Sequence, residues 1–478
     1  MKMTQLLQRK RFRNLAQVFG LFLMWIVAFS FTGCNISKSE PTVGWDKLDY
    51  ILDQIVPPTF EDNDFLVTEF GATGDSTTDN TEAFRKAIAA CNAAGGGRVV
   101  VPPGIFMTGA IHLKSNVNLH ISKNATVRFT KDPAKYLPLV FTRFEGIECY
   151  NYSPFIYAFE AENIAITGSG TLDGQGGTDS WWPWKGQEIY GWLPGTPNGN
   201  STTDELYEMP EKMTPVAERI FGEGKYLRTN FIQPYKCKNI LIDSLTIIRS
   251  PMWVIHPVLS ENVTIQNVKV ISHGPNNDGC NPESSRNVLI KNCYFDTGDD
   301  CIAIKSGRNA DGRRVNMPSE NIIVTGCNMK DGHGGVVIGS EMSGDVRNVF
   351  IEDCVMDSPN LDRALRIKTN SLRGGVVENV FMRNVTVGEV SDAVVRINFY
   401  YGEGDVGKFT PVVRNIFIEN VTSKKSKYAF ALDGYERSPI TNLYLTQCRF
   451  DGVEDGNILS HYLNLNLNDV YINGQRQH

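Results

Sequence analysis

Asn239-Ile240-Leu241-Ile242-Asp243-Ser244-Leu245, Asn262-Val263-Thr264-Ile265-Gln266-Asn267-Val268 and Asn287-Val288-Leu289-Ile290-Lys291-Asn292-Cys293 state one phrase three times. It reads asparagine, aliphatic residue, any residue, aliphatic residue, two unrestricted positions and a small apolar residue. The phrase returns at Asn321, Asn348, Asn379, Asn415 and Asn442. Aliphatic residues at offsets +1 and +3 alternate with period two, as a strand with one buried face requires. The apolar residue at +6 shows the chain turning and pointing inward again. Spacings of 23 to 36 residues between the asparagines leave no room for intervening helices. The units therefore predict coils of one solenoid, an all-β, right-handed parallel β-helix. The recurring Asn is a turn residue, because Asn tolerates left-handed backbone and bonds neighbouring peptide groups. Asn116 with Val117 and Leu119, and Asn163 with Ile164 and Ile166, mark earlier and less regular coils.

The solenoid is expected to occupy residues 65–478 as a single domain. Its open end needs a cover, and residues 79–94 supply one: Asp79 as N-cap, Glu82 three residues later, then Ala83, Phe84, Ala87, Ile88 and Cys91 on one face before Gly95-Gly96-Gly97. This is a short N-terminal cap helix. The nearby glycine-rich pieces lack the Lys-Ser/Thr ending of a phosphate loop and are turns. An excursion at about 174–238 interrupts the repeat and holds Trp181, Trp182, Trp184 and Trp192, which either stack on sugars or pin the loop to the solenoid.

Lys2, Arg9, Lys10, Arg11 and Arg13 precede an almost purely apolar stretch from Val18 to Phe31, the pattern of an export signal over residues 1–33. Phe31-Thr32-Gly33-Cys34 resembles the bacterial lipoprotein cleavage box, which implies lipidation at Cys34 and a periplasmic or outer-membrane location. Residues 34–64 are a linker and lead-in. The whole chain carries 47 Lys+Arg against 53 Asp+Glu, and losing the basic leader makes it more acidic still. Nucleic acid is excluded as a partner, and any membrane contact runs through the lipid at Cys34. Four of the remaining cysteines share offset +6 and stack inside the solenoid. Neighbours could form a disulfide, but three consecutive coils cannot all pair, so they are expected as mostly reduced core residues.

Chemistry concentrates in four successive coils. Asp299 and His333 both fall at offset +12 from their asparagines and should be stacked neighbours. Matching Asp278-Gly279-Cys280 to Asp299-Asp300-Cys301 puts Asp278 in the same column, and Gly298 allows a bend that brings both Asp299 and Asp300 to one side. In the next coil Leu365-Arg366-Ile367-Lys368 matches Ile302-Ala303-Ile304-Lys305, so Arg366, Lys368 and Lys305 point outward together. An acidic trio beside a basic trio suits hydrolysis of an anionic polysaccharide: an acid for the leaving oxygen, carboxylates to activate water, cations for sugar carboxylates. A solvated charge ladder would be the default for any one of these residues; convergence over four coils argues against it.

Asn276-x-Asp278, Gly298-Asp299-Asp300, Gly332-His333-Gly334 and Arg366-Ile367-Lys368, in that order on a parallel β-helix, closely resemble the four signature motifs of glycoside hydrolase family 28, the polygalacturonases. The resemblance implies inverting hydrolysis of α-1,4-galacturonosyl linkages in pectin. It makes Asp299 the general acid, has Asp278 and Asp300 hold and deprotonate the water, lets His333 tune the acid, and gives Arg366 and Lys368, with Lys305 and Asn276 nearby, to the substrate. Inversion implies a carboxyl pair roughly 6.5–9.5 Å apart. No cofactor or metal is called for. The phrases Asn276 to Ser284 and Lys305-Ser306-Gly307 look most like bacterial members, many of them exo-acting, and the insertions at 174–238 and 308–319 are placed to block one end of the groove. Three rivals stay open: a hydrolase of rhamnogalacturonan or another decorated pectin, a calcium-dependent pectate lyase, and a non-catalytic polysaccharide-binding adhesin.

Overall fold

Stacking the repeated phrase in register builds the molecule. The computed structural model describes residues 44–478, so the leader and Cys34 lie outside the described residues. Within it Ile240 pairs with Val263, Val263 with Val288, Val288 with Ile322, Ile322 with Val349, Val349 with Val380, Val380 with Ile416 and Ile416 with Leu443, every pair parallel. The same column extends back through Ile164 and forward to Leu465, the coil after the last phrase read from the sequence. Column residues from Ile164 to Leu443 are buried; each such side chain stabilises the fold by ~1.5–3 kcal/mol. The solenoid is therefore the expected parallel β-helix. A second, six-stranded parallel sheet (Ile302–Ile304, Val336–Gly339, Arg363–Lys368, Ala393–Asn398, Tyr428–Asp433 and Ile458–Ser460) forms a further face.

The asparagines do more than turn the chain. From Asn116 to Asn464 each sits at a φ of 54–64°. From Asn163 onward each also donates through Nδ2 to the Oδ1 of the asparagine one coil earlier, at 2.9–3.4 Å. The result is one continuous ladder running the length of the solenoid. A second left-handed corner follows at offset +5, occupied by Ser244, Asn267, Asn292, Gly326, Asp353, Asn384, Asn420 and Gln447 at φ of 49–65°. That position reads as unrestricted in sequence because several residue types, each tolerant of the left-handed region or held there by the stack, fill it.

The nine cysteines of the described residues are free and buried. Burial pushes the thiols of Cys149, Cys280 and Cys301 up and keeps them protonated, in line with core fillers.

At the N-terminal end the cap helix forms (α2, Thr81–Ala93) and buries the five residues expected. Its N-cap is Asn80 instead of Asp79; Asp79 stays in the preceding strand and accepts from the Thr81 N–H at 3.0 Å. The lead-in is not simply a linker, because a short helix (α1, Asp46–Leu52) docks on the outside of the sheet. Leu48 and Ile51 pack there with Ile323, Phe350 and Phe381. Phe350, Phe381, Phe417 and Tyr444 stack face to face, ring centres 4.9–5.0 Å apart, because all four occupy offset +2 of consecutive coils.

The ladder is open to test at its middle. Asn321→Ala removes two ladder hydrogen bonds and forces a β-carbon-bearing residue without a polar side chain into left-handed backbone, and should cost about 2–4 kcal/mol. Asn321→Gly loses the bonds but suits the backbone and should cost about half as much. Urea denaturation midpoints measure both; two unshifted midpoints would remove the ladder from the account of stability.

Candidate active site

Coil register brings the expected carboxylates together, with one adjustment. His333 stacks on Asp299 as its offset requires: its backbone N–H donates to the Asp299 carbonyl at 3.1 Å and its ring Nδ1 lies 3.0 Å from Asp299 Oδ1. Cys280, however, pairs with Ile302 and Glu283 with Lys305, one residue away from the match of Cys280 to Cys301. This sets Asp278 in line with Asp300, while Asp299 reaches the cluster from the bend at Gly298. Gly298 is needed there, since a β-carbon would stand 2.6 Å from the Gly274 carbonyl oxygen. One oxygen from each of Asp278, Asp299 and Asp300 lies within 4.8 Å of the other two. That is closer than the spacing expected for an inverting pair, because lysines are interleaved with the carboxylates and reduce their repulsion.

The match of residues 302–305 to 365–368 holds. Ile302, Val336 and Leu365 share one column and Ala303, Val337 and Arg366 the next. Arg366 and Lys368 leave the coil on the same side, yet Lys368 and Lys305 are only 6% and 3% exposed, because loops cover them. Lys368 Nζ donates to Asp300 Oδ2 at 2.7 Å, and Arg366 Nη1 stands 3.5 Å from Asp300 Oδ1. Lys305 Nζ lies 3.0 Å from Glu341 and 3.6 Å from Asp278, over the Trp253 ring. These cations thus serve the carboxylate cluster first.

Burial, with the Asp299 charge added, pushes Asp278 up to about 8, so Asp278 holds a proton at neutral pH. Burial acts on Asp299 in the same direction but is outweighed by the His333 hydrogen bond and the Lys368 charge, which hold Asp299 below the ordinary carboxylate range. That same hydrogen bond raises His333. Asp300 Oδ1 is buried and receives no hydrogen bond from the protein, leaving a lone pair open to a donor in the pocket.

The cluster sits in a cavity of about 760 Å³. Its walls come from four places: the hairpin Val140–Phe144/Ile147–Asn151, the excursion after Asp173, the insertion at 308–319 and the loop holding Tyr401 and Glu403. The excursion is firmly built. Trp181 is buried against Tyr136 and Phe155, and Trp182 Nε1 donates to the Ser250 carbonyl at 2.8 Å. A helix within it (α3, Asn200–Glu211) meets a helix of the later insertion (α4, Asn309–Val315), locked by the buried Arg219–Asp311 pair at 2.6 Å and by the Arg308 guanidinium 3.6 Å above the Tyr207 ring. Of the two roles open to the tryptophans, Trp181 and Trp182 take the anchoring one; Trp184 packs on Trp181 and lines the pocket, and Trp192 bonds to Thr196 within the loop.

Asn276 lines the pocket with its side-chain oxygen held by Arg228 at 2.6 Å. Beneath the pocket His256 joins Glu283 at 2.7 Å, and Glu283 meets Arg143 at 3.1 Å, all three buried. Burial lowers His256, and the amides of Asn230 and Gln233 at its Nδ1 place its single proton on Nε2, toward Glu283. Sequence reasoning missed Glu341, Tyr401 and Arg228. Glu341 had a usable signal, two residues beyond Gly339 in the column of Lys305 and Lys368; Arg228 had none, since it lies outside the repeat.

The chain is similar to known polygalacturonases. A solved exopolygalacturonase from Thermotoga maritima is 47% identical, with a TM-score of 0.87, covering 90% of this chain and 96% of that one. A probable polygalacturonase of Vitis vinifera is 29% identical over 395 residues, 80% of this chain and 72% of its own length. The exo-poly-alpha-D-galacturonosidase of Dickeya chrysanthemi is 28% identical over 358 residues, 71% of this chain and 57% of its own length. Residues 65–125 match a family described as rhamnogalacturonase A/epimerase, pectate lyase-like. Residues 222–464 match the model of glycosyl hydrolases family 28, and the chain belongs to that family.

Proposed function

We propose that the chain hydrolyses α-1,4-galacturonosyl linkages of galacturonan, with inversion and from a chain end. The observation that carries hydrolysis is the trio itself: a retained proton on one carboxylate beside a buried acceptor, Asp300 Oδ1, that receives no hydrogen bond from the protein and has Arg366 only at 3.5 Å. Water held between Asp278 and Asp300 satisfies that acceptor and is placed for attack. Asp300 and Asp278 side chains are 1% and 4% exposed and clamped by lysines, so neither can reach an anomeric carbon as nucleophile. This favours water, and hence inversion, despite the short spacing.

Asp299, 18% exposed and in contact with His333, is the carboxyl presented to the leaving oxygen. Before substrate binds, the protons of this cluster reside on Asp278 and on the His333 imidazole of raised pKa. A sugar that displaces water from Asp299 strengthens the burial that raises its own pKa and draws the proton across the His333 hydrogen bond. Water then attacks, the leaving oxygen takes that proton, and the water's proton passes to the Asp278/Asp300 pair.

The exo mode rests on the walls. Residues of α3, Trp184 and Tyr226 stand at the N-terminal side of the trio and are tied to the solenoid, which suits a pocket for a chain terminus better than an open groove. Export, and a lipid anchor at Cys34 facing the periplasm or the outside, complete the proposal; these rest on residues 1–34 alone.

Three outcomes are expected. Polygalacturonate digestion should release galacturonic acid, or one short oligomer, from the outset while viscosity falls slowly, and NMR of the first product should show the inverted anomer; a rapid viscosity drop with a ladder of oligomers would contradict the exo mode, and a retained anomer the mechanism. Asp278 titrates well above an ordinary carboxyl, so its contribution to stability is full below about pH 4 and declines as pH rises toward 8. Asp278→Asn abolishes that decline, and its melting temperature should gain on wild type more at pH 8 than at pH 4.5; a pH-independent difference would place the proton elsewhere. In a bacterial host, Cys34→Ser should move the protein from the membrane to the soluble fraction, and an unchanged partition would exclude the anchor.

A further inference from the structure

The lysines and arginines beside the trio are occupied. Among the described residues lining the pocket, Lys305, Arg308, Lys368 and Arg373 each face a protein carboxylate within 3.5 Å. Arg228 does not. It is 4% exposed, lines the same pocket, and makes no ion pair. Its Nη1 donates to the carbonyls of Pro251 and Pro275 at 3.2 and 2.5 Å, and its Nη2 to Asn276 Oδ1 at 2.6 Å. These neutral acceptors fix the guanidinium plane without neutralising it, and its Nε and second Nη2 hydrogen take no protein acceptor.

Burying a cation without a counter-ion is costly unless something else supplies the charge. The fold accepts that cost at one place in the pocket, beside Asn276 and two residues from Asp278. Desolvation brings Arg228 down to about 10, and the carboxylates of Glu145, Asp299 and Asp278 act the other way; it remains charged at any working pH.

Resting on the galacturonan reading above, we propose that Arg228 is a substrate-binding residue that receives the carboxylate of the sugar on the N-terminal side of the trio. Arg228 precedes the coil of Ile232–Tyr235, whereas Arg366 and Lys368 lie two coils beyond Asp300 toward the C-terminus. Two cationic positions therefore flank the scissile bond along the solenoid axis. Their states differ: Arg366 and Lys368 must share their charge with Asp300, while the Arg228 charge is wholly available. Lys185, half-buried on the same wall and likewise without an ion pair, lies on the approach. Arginine suits this position because a planar fork held on one side by carbonyls presents its remaining N–H groups in one direction.

The test compares digalacturonate with its dimethyl ester by calorimetry, using Asp299→Asn to prevent turnover. With Arg228 present the acid should bind at least about tenfold more tightly than the ester. Adding Arg228→Gln should shrink that ratio about tenfold by weakening the acid and not the ester. Arg228→Lys, which keeps the charge and loses the fork, should fall between and serves if the Gln variant fails to fold. An unchanged ratio, or equal weakening of both ligands, overturns the assignment. Turnover of polygalacturonate by the wild-type chain separates the two levels: activity with an unchanged ratio sinks Arg228 alone, and absence of activity sinks the galacturonan reading with it.

Discussion

Everything in this molecule depends on coils stacking without slip. A solenoid coil touches only its neighbours, so a shift of one residue between two coils would turn buried aliphatics outward and dismantle every column beyond it. The asparagine ladder resists that shift. Each amide both gives and receives a bond along the axis, and each asparagine also closes a corner in left-handed backbone, so position and direction are fixed by the same side chain. Hydrophobic columns supply the stabilisation, and the ladder supplies the register.

Register then does chemical work. Side chains far apart in sequence arrive within hydrogen-bonding distance of one another because the columns are parallel, as with Asp299 and His333 from adjacent coils or Lys368 and Asp300 from coils two apart. Three carboxylates confined within a few ångströms would repel strongly in a buried site. They are tolerated because the neighbouring columns bring lysines between them and because one keeps its proton. The cations that suggest substrate binding in the sequence are first of all the counter-ions that let the acids coexist, and the unpaired cation is provided by the loop outside the repeat.

How much was legible follows from what is periodic. The strand alternation, the buried cysteines, the buried face of the cap helix and the columns of residues 302–305 and 365–368 all obey a fixed offset and could be read from the sequence. The offset +5 corner could not, since Asn, Asp, Ser, Gly and Gln share it. The alignment of Asp278 was off by one residue because the turn from Ser272 to Cys280 is longer than the matching turn from Thr297 to Ile302, and a match on cysteines cannot see a bend. Asp79 looked like an N-cap because it accepts a helix-terminal N–H, but Asn80 holds the capping position. Helix α1 escaped notice because only seven residues form it and it is stabilised by the exterior aromatic stack. Arg228 and Glu145 belong to loops, where spacing carries no information about proximity, whereas Glu341 could have been placed from Gly339.

The buried thiols have a consequence for what happens when the chain unfolds. In the native state the nine cysteines of the described residues are sealed in the interior, several with raised pKa values, and none of these nine is available to an oxidant. Heat or denaturant exposes all of them at once on a flexible chain, where their acidity returns to that of a free thiol and mismatched crosslinks form readily in an oxidising medium. Mismatched crosslinks do not fit columns built for single sulfur atoms, so an oxidised chain must be reduced before it can return to the solenoid. Under those conditions the lifetime of the protein is set by how rarely its coils part, a rate and not an equilibrium.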